Sequence, residues 1–203
     1  MEISLIALIS YLLGSIPFGF LLTKIFLKKD IRKIGSGNIG ATNALRTGNK
    51  VIGYSTLILD ILKAVIPILF IKIQFPEFLF ISSLAVFLGH VFPIWLKFNG
   101  GKGVATYLGI LFALSLQLSF LFIFTWLLVS LIFKYSSLSS MFGSFTVFIV
   151  TFIKDTALKS INTNINLDDD IKLTLFTFFI LIIFTHRKNI SNLKNKTEKK
   201  IKI

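Results

Sequence analysis

The chain has no cysteine and only two histidines, His90 and His186, in 203 residues. Disulfides, thiolate nucleophiles and Cys-built zinc sites are thereby excluded, and so is a His-rich metal centre; neither a metal nor a cofactor is expected. Charge is scarce at 15% and lopsided, with 22 Lys and Arg against 9 Asp and Glu for a net charge of +13. The N-terminus, Met1-Glu2-Ile3-Ser4, lacks the basic region of a cleavable signal, and no small-residue cleavage site follows the apolar run that begins at Ile3. That run is expected to be a retained span.

What the chain does have is apolar surface. Hydrophobic residues make up 54%, 23 of them Phe, and the mean hydropathy is +0.83. One soluble core cannot hide that much at this length, so an all-α membrane protein is predicted. The positive charge must then crowd into a few loops that face anions. Membrane lipids with anionic headgroups and phosphorylated substrates suit such loops better than nucleic acid does.

Apolar runs long enough to consider as helices are Leu5–Ile25, Val51–Ile73, Phe78–Leu96, Val104–Phe133, Leu138–Ile153 and Ile171–Thr185. The fourth contains the 31 charge-free residues between Lys102 and Lys134. They would make a helix of about 46 Å against a hydrocarbon core of about 30 Å, too long for one crossing and short for two. Charge parity decides it. The Lys24–Lys50 loop and the His186–Ile203 tail each carry seven Lys and Arg, so both belong in the cytoplasm. An even number of crossings between them requires the long run to split near Ser115–Ser119. Seven transmembrane helices follow, with the N-terminus outside, the C-terminus cytoplasmic and the Lys154–Lys172 segment outside. A single transmembrane domain over 1–203 is expected, with a basic tail over 194–203 that is partly disordered.

Three polar segments then face one compartment. The first, Gly35-Ser36-Gly37-Asn38-Ile39-Gly40-Ala41-Thr42-Asn43 with Arg46 downstream, combines glycines that let backbone amides approach an anion with neutral hydrogen-bonding side chains and a guanidinium. The second, Gly100-Gly101-Lys102-Gly103, precedes a predicted helix; this is anion-binding geometry, although alone it reads equally as a helix-connecting turn. It is not a nucleotide P-loop, whose spacing is absent. The third, His186-Arg187-Lys188-Asn189-Ile190, stands where the last span ends. On a continuing helix His186 and Asn189 share a face, while the plainer reading is a stop-transfer end rich in snorkelling cations. Within the spans, Asp60 and Lys63 are one helical turn apart and are expected to neutralise each other and brace a polar loop from inside. His90, by itself, reads as a hydrogen-bonded core histidine.

Together and in this order, the segments resemble the bacterial acyl-phosphate:glycerol-3-phosphate acyltransferases. Gly14-Ser15-Ile16-Pro17, Asp60-x-x-Lys63 and the Gly89-His90 pair look like features of that family too. Ala64 stands where similar proteins tend to have Gly, and Leu193–Glu198 lacks the family's usual Gly.

The resemblance implies a multi-pass enzyme of the bacterial inner membrane with a cytoplasmic active site. It would take acyl phosphate and glycerol 3-phosphate to lysophosphatidic acid in phospholipid biosynthesis, in functional link with an enzyme that makes acyl phosphate. It further implies catalytic roles for Ser36, His186 and Asn189, and substrate or phosphate binding by Gly37, Asn38, Gly40, Thr42, Asn43, Arg46, Gly100, Gly101, Lys102 and Gly103. Asp60, Lys63 and His90 would be structural polar residues. No His is followed five residues later by Asp, so the His/Asp pair of thioester-dependent acyltransferases is missing. An organic-phosphate or phosphate transporter is the rival reading, since glycine-interrupted helices and buried cations suit it as well; no internal repeat supports it.

Overall fold

The computed structural model describes the backbone of residues 2–158 and 169–201, and the side chains of 2–153 and 171–201. Among the described residues all regular structure is helical. The chain divides into two compact units, residues 1–116 and 117–203.

In the first unit, α1 (Glu2–Ser15) and α2 (Phe18–Leu27) are separated at Ile16-Pro17. Proline supplies no amide to the helix ladder and disfavours helical geometry in the residue before it. Then come the short α3 (Ala41–Leu45) and the 25-residue α4 (Lys50–Gln74). Asn49 starts α4 by accepting a hydrogen bond from the Ile52 amide at 3.1 Å. Helices α5 (Leu79–Val91) and α6 (Val104–Leu114) complete the unit. Small residues join α1 to α5: Ser10 and Ser82 share a hydrogen bond of 2.8 Å, and Gly14 and Gly89 each lie against the backbone of the other helix. Close backbone approach of this kind drives helix association where water is absent.

The second unit holds α7 (Leu116–Phe133), α8 (Ser136–Leu158), α9 (Asp169–Thr185) and α10 (Arg187–Lys194). Hydroxyls of Ser139, Ser140 and Thr151 donate to carbonyls four residues back, which lets a polar-rich α8 satisfy itself. Phe148 stacks on Phe179 and packs against Phe152 and Phe176.

Among the described residues, four helical stretches are long and apolar enough to cross a membrane: Glu2–Leu27, Pro76–Leu96, Leu116–Phe133 and Ser136–Ile153. The pair Ile171–Thr185 and Arg187–Lys194, bent by 55°, makes a fifth. The protein is a multi-pass membrane protein. The long apolar run breaks at Ser115, inside the window that charge parity required, and leaves α6 with only 11 residues, about 16 Å of helix. Its brevity has a physical cause. Gly109 packs against Ile61 and Ala64, so α6 lies beside the middle of α4 and both its ends fall inside α4's length. Its last carbonyls would be orphaned in an apolar layer, but the Lys72 ammonium donates to Ala113 at 2.9 Å and to Leu114 at 3.1 Å, a cation at the negative end of a helix.

The end of α10 replaces the missing glycine with a lysine. Lys196 takes a left-handed φ of 58°, its amide donates to Leu193, and the Thr197 amide donates to Asn192, which is the Schellman arrangement. A residue with a Cβ makes this turn at a cost of about 1–2 kcal/mol relative to glycine. The chain then runs on to Ile201, whose amide donates to the Lys134 carbonyl at the α7–α8 turn. Residues 159–168, the middle of the segment expected outside, are not among the described residues.

Candidate active site

Between α2 and α4 the first glycine-rich segment is folded around one side chain. Asn43 is 2% exposed; its amide nitrogen donates to the carbonyls of Ile31 (3.1 Å), Ile34 (2.9 Å) and Asn38 (2.7 Å), and its oxygen accepts from the Ser36 amide at 2.9 Å. Asn38 in turn accepts from the Gly40 amide at 2.8 Å, turning the chain into α3. Gly35, at φ 57°, sits where any Cβ would meet the Asn43 oxygen and the stem of Arg46. Arg46 therefore lies across the Gly35–Ser36 turn, and Ser36 itself is exposed. At the loop's entrance Arg32 holds Asp30 by paired hydrogen bonds, the shortest 2.7 Å. Those bonds bring the Asp30 carboxyl down to about 2, so it stays charged at any physiological pH.

The second segment is held to the end of α5. The amides of Gly100 and Gly101 donate to the Val91 and His90 carbonyls at 3.1 and 3.0 Å, closing the helix. A Cβ on Gly101 would fall on the His90 imidazole, so only glycine allows the turn to lie flat on that ring. The turn ends at Gly103, φ 80°, and α6 begins. Leu96 of this loop joins Ile31, Ile39, Ala44 and Ile52 in one apolar cluster, which fixes both glycine-rich loops at the same end of the unit.

Beneath them lies a buried polar cluster. The Lys63 ammonium donates to the Ile16 carbonyl at 2.8 Å and to His90 Nδ1 at 2.9 Å, and forms an ion pair with Asp60 Oδ1 at 2.8 Å. Asp60, Lys63 and His90 are 1%, 6% and 3% exposed. The Ile16 carbonyl lies at the break before Pro17, where it also accepts from the Phe18 amide at 3.2 Å, so a single lysine ties the α1–α2 junction to α4 and α5. Because Lys63 donates to Nδ1, the His90 proton resides on Nε2, the nitrogen beside Gly101.

In the second unit His186 stands at the bend, as the residue before α10, 1% exposed. Its Nδ1 lies 2.8 Å from the Ile182 carbonyl; a carbonyl only accepts, so Nδ1 carries a proton. Asn189, also buried, donates to Glu198 Oε1 at 2.6 Å.

A family model described as glycerol-3-phosphate acyltransferase matches residues 4–196. The chain belongs to the glycerol-3-phosphate acyltransferase family. A protein of that name from Pelagibacter ubique is 58% identical over the whole of both chains, and one from the Wolbachia of Brugia malayi is 43% identical over 98% of this chain and 99% of that one. A crystal structure of PlsY, an integral membrane glycerol 3-phosphate acyltransferase in its glycerol 3-phosphate form, superposes with a TM-score of 0.89. It is 33% identical and covers 100% of this chain and 96% of that one. Its lysophosphatidic acid form superposes at 0.86, also 33% identical, covering 98% and 95%.

In this family member the site residues read from the sequence divide by what holds them. Ser36, Gly37, Asn38, Gly40, Thr42 and Arg46 lie on the first loop, and Lys102 and Gly103 on the second. Asn43 is engaged with the first loop's own carbonyls, and the Gly100 and Gly101 amides with α5. The continuing helix expected to put His186 and Asn189 on one face is replaced by the 55° bend, which begins α10 after His186. Sequence reasoning missed Glu198, which gathers Ser137, Asn189 and Asn192; the available signal was one acid in a tail otherwise rich in lysine.

Proposed function

We propose that this chain transfers a fatty acyl group from acyl phosphate to the 1-hydroxyl of glycerol 3-phosphate, releasing phosphate and lysophosphatidic acid for phospholipid synthesis. The observation that carries the reading is the whole-chain likeness to a protein solved in glycerol 3-phosphate and lysophosphatidic acid forms. The donor is a mixed anhydride and already activated. The glycerol oxygen forms a bond to the acyl carbon, the bond from that carbon to the phosphate oxygen breaks, and the leaving phosphate takes the hydroxyl proton. What the protein must supply is positioning and charge neutralisation.

Arg46 and Lys102 hold substrate phosphate, supported by Gly37, Asn38, Gly40, Thr42 and Gly103. Ser36 gives a hydroxyl hydrogen bond, and His186 and Asn189 position the glycerol moiety. Asn43, Gly100 and Gly101 act by shaping their loops. Purified protein given acyl phosphate and glycerol 3-phosphate should form lysophosphatidic acid in detergent with no gradient, and acyl-CoA should not replace the donor. Arg46→Ala and Lys102→Ala should each lower kcat/KM about tenfold to a hundredfold, the effect of losing one charge-assisted contact of about 1.5–3 kcal/mol. Wild-type kinetics in both variants, or stable acyl label on denatured protein, would reject these assignments.

The topology belongs to the same reading. Adding α4 and α6 to the five apolar stretches makes seven crossings, with the N-terminus outside, the C-terminus and active site on the cytoplasmic side of the inner membrane, and an acyl-phosphate-producing enzyme as functional neighbour. Cysteines introduced at Asn99 and Asn162 should be labelled from opposite faces of intact cells; same-side labelling rejects seven spans.

A further inference from the structure

The apolar cluster that fixes the two glycine-rich loops has an outer side. Leu96 enters the cluster from the tight turn Pro93–Phe98, and Ile31 enters it from the turn that follows α2, with Leu27 packed against it. The two turns are therefore neighbours at one end of the first unit. While Leu96 is buried, Trp95 and Phe98 are 62% and 59% exposed, and Ile94 is exposed beside them. On the neighbouring turn Ile25 and Phe26 are exposed as well.

This display is built into the backbone. Lys97 and Phe98 both take left-handed conformations, with φ of 50° and 61°, which residues with a Cβ adopt only at a cost. Four hydrogen bonds hold them there: the amides of Lys97, Phe98 and Asn99 donate to the carbonyls of Ile94, Pro93 and Leu96, and the Asn99 side chain donates to the Lys97 carbonyl. Lys28 ends α2 in the same conformation, φ 54°. Glycine would make these turns freely. The residues present instead put a ring and two ammonium groups where the chain reverses.

The charge on this face has one sign. Within residues 24–33 and 92–99 the sole acid is Asp30. Arg32 pairs with it at 2.7 Å and lies over the Phe20 ring, 4.9 Å from its centroid. What remains is a set of exposed lysines, Lys24, Lys28, Lys29, Lys33 and Lys97, with no acid to oppose them. Exposed rings set among such cations need an apolar phase and an anion at once. In a multi-pass membrane protein the headgroup layer supplies both, acyl chains for the rings and phosphates for the ammonium groups.

We infer that this face is a binding surface for anionic glycerophospholipid, with Trp95 and Phe98 among the acyl chains and Lys28, Lys29 and Lys97 on the headgroup. Lipid held there packs on the outside of the cluster that positions both glycine-rich loops. The anionic content of the leaflet then stabilises those loops, whatever reaction they serve.

The test is tryptophan quenching on the full-length protein in detergent, titrated with phosphatidylglycerol or phosphatidylcholine carrying brominated acyl chains. The chain has two tryptophans, so Trp126→Phe leaves Trp95 as the reporter. One lysine near an anionic surface is worth about fivefold in affinity. Half-quenching of Trp95 should therefore need at least about fivefold less phosphatidylglycerol than phosphatidylcholine, a gap that narrows in high salt. Lys28→Gln, Lys29→Gln and Lys97→Gln combined should bring the two lipids within about twofold, with quenching by both retained. Phosphatidylglycerol should raise the melting temperature of the wild type and not of that variant. If the triple variant does not fold, each change is made singly and should narrow the gap about twofold.

Equal quenching by the two lipids in the wild type would reduce the face to ordinary bilayer contact and overturn the inference. So would a gap that survives the loss of the three lysines. A gap of the same size at Trp126, read in Trp95→Phe, would show that anionic lipid gathers over the whole protein and would overturn the site. No quenching of Trp95 by either lipid would give the face to a protein partner instead.

Discussion

Lys63→Met should melt well below the wild type in detergent, with a loss of about 3–5 kcal/mol, the cost of breaking a buried ion pair by removing one partner. Methionine matches the lysine stem in length and apolar character, so packing is nearly conserved and the loss isolates the ammonium. Three groups lose the ammonium at once. The Asp60 carboxylate is left buried without its counter-ion, the Ile16 carbonyl keeps only the Phe18 amide, and His90 Nδ1 loses its donor. With His90 released, the ring on which Gly101 lies can turn, so the second loop should lose its register and the folded fraction should also be less active. Asp60→Leu combined with Lys63→Met should cost less than the sum of the single changes, because the double variant buries no uncompensated charge. A Lys63→Met melting point equal to that of the wild type would show that the cluster does not tie the helices together.

This cluster also shows how far a sequence carries. The pairing of Asp60 with Lys63 was legible because both lie on one helix, a turn apart, in a layer that tolerates no lone charge. That His90 and the Ile16 carbonyl complete it was not, since the four groups come from two helices and the break at Ile16-Pro17 and only the fold brings them together, at 2.8 to 3.7 Å. The break at Ser115 repeats the pattern. Counting basic loops demanded a split in the long apolar run, but the group that satisfies the carbonyls at the split is Lys72, about 40 residues away, a residue that no sequence signal singled out. At the tail, composition suggested disorder. What composition does not register is that a left-handed Lys196 is affordable where Glu198 and Ile201 have partners waiting on α8 and its turn. Residue type indicated hydrogen-bonding capacity at Asn43 as at Asn189, without the direction. One proves to face its own loop and the other to face the tail.

Asn43→Asp and Asn43→Leu should abolish most activity, with at least about a hundredfold loss in kcat/KM, although the first changes almost no volume. The aspartate keeps an oxygen for the Ser36 amide but sets a carboxylate against the carbonyls of Ile31, Ile34 and Asn38, which lose the NH2 group and face a negative charge, although the first two keep the Ile34 and Gly37 amides as donors. The leucine removes the donor of the Asn38 carbonyl and the acceptor of the Ser36 amide, and one of the two donors at Ile31 and Ile34. Each unmet buried group costs about 1–3 kcal/mol, and several together exceed what so short a loop gains from its apolar cluster at Leu96. The loop should therefore open, carrying Ser36 and Arg46 out of position, while the spanning helices stay folded because their packing does not pass through Asn43. Two measurements separate this from a direct ligand contact. Limited proteolysis should cut both variants between Lys28 and Lys50 at a protease level that leaves the wild type intact, and the melting transition of the helices should move little. A protected loop with a raised KM alone would instead place the Asn43 side chain on the substrate.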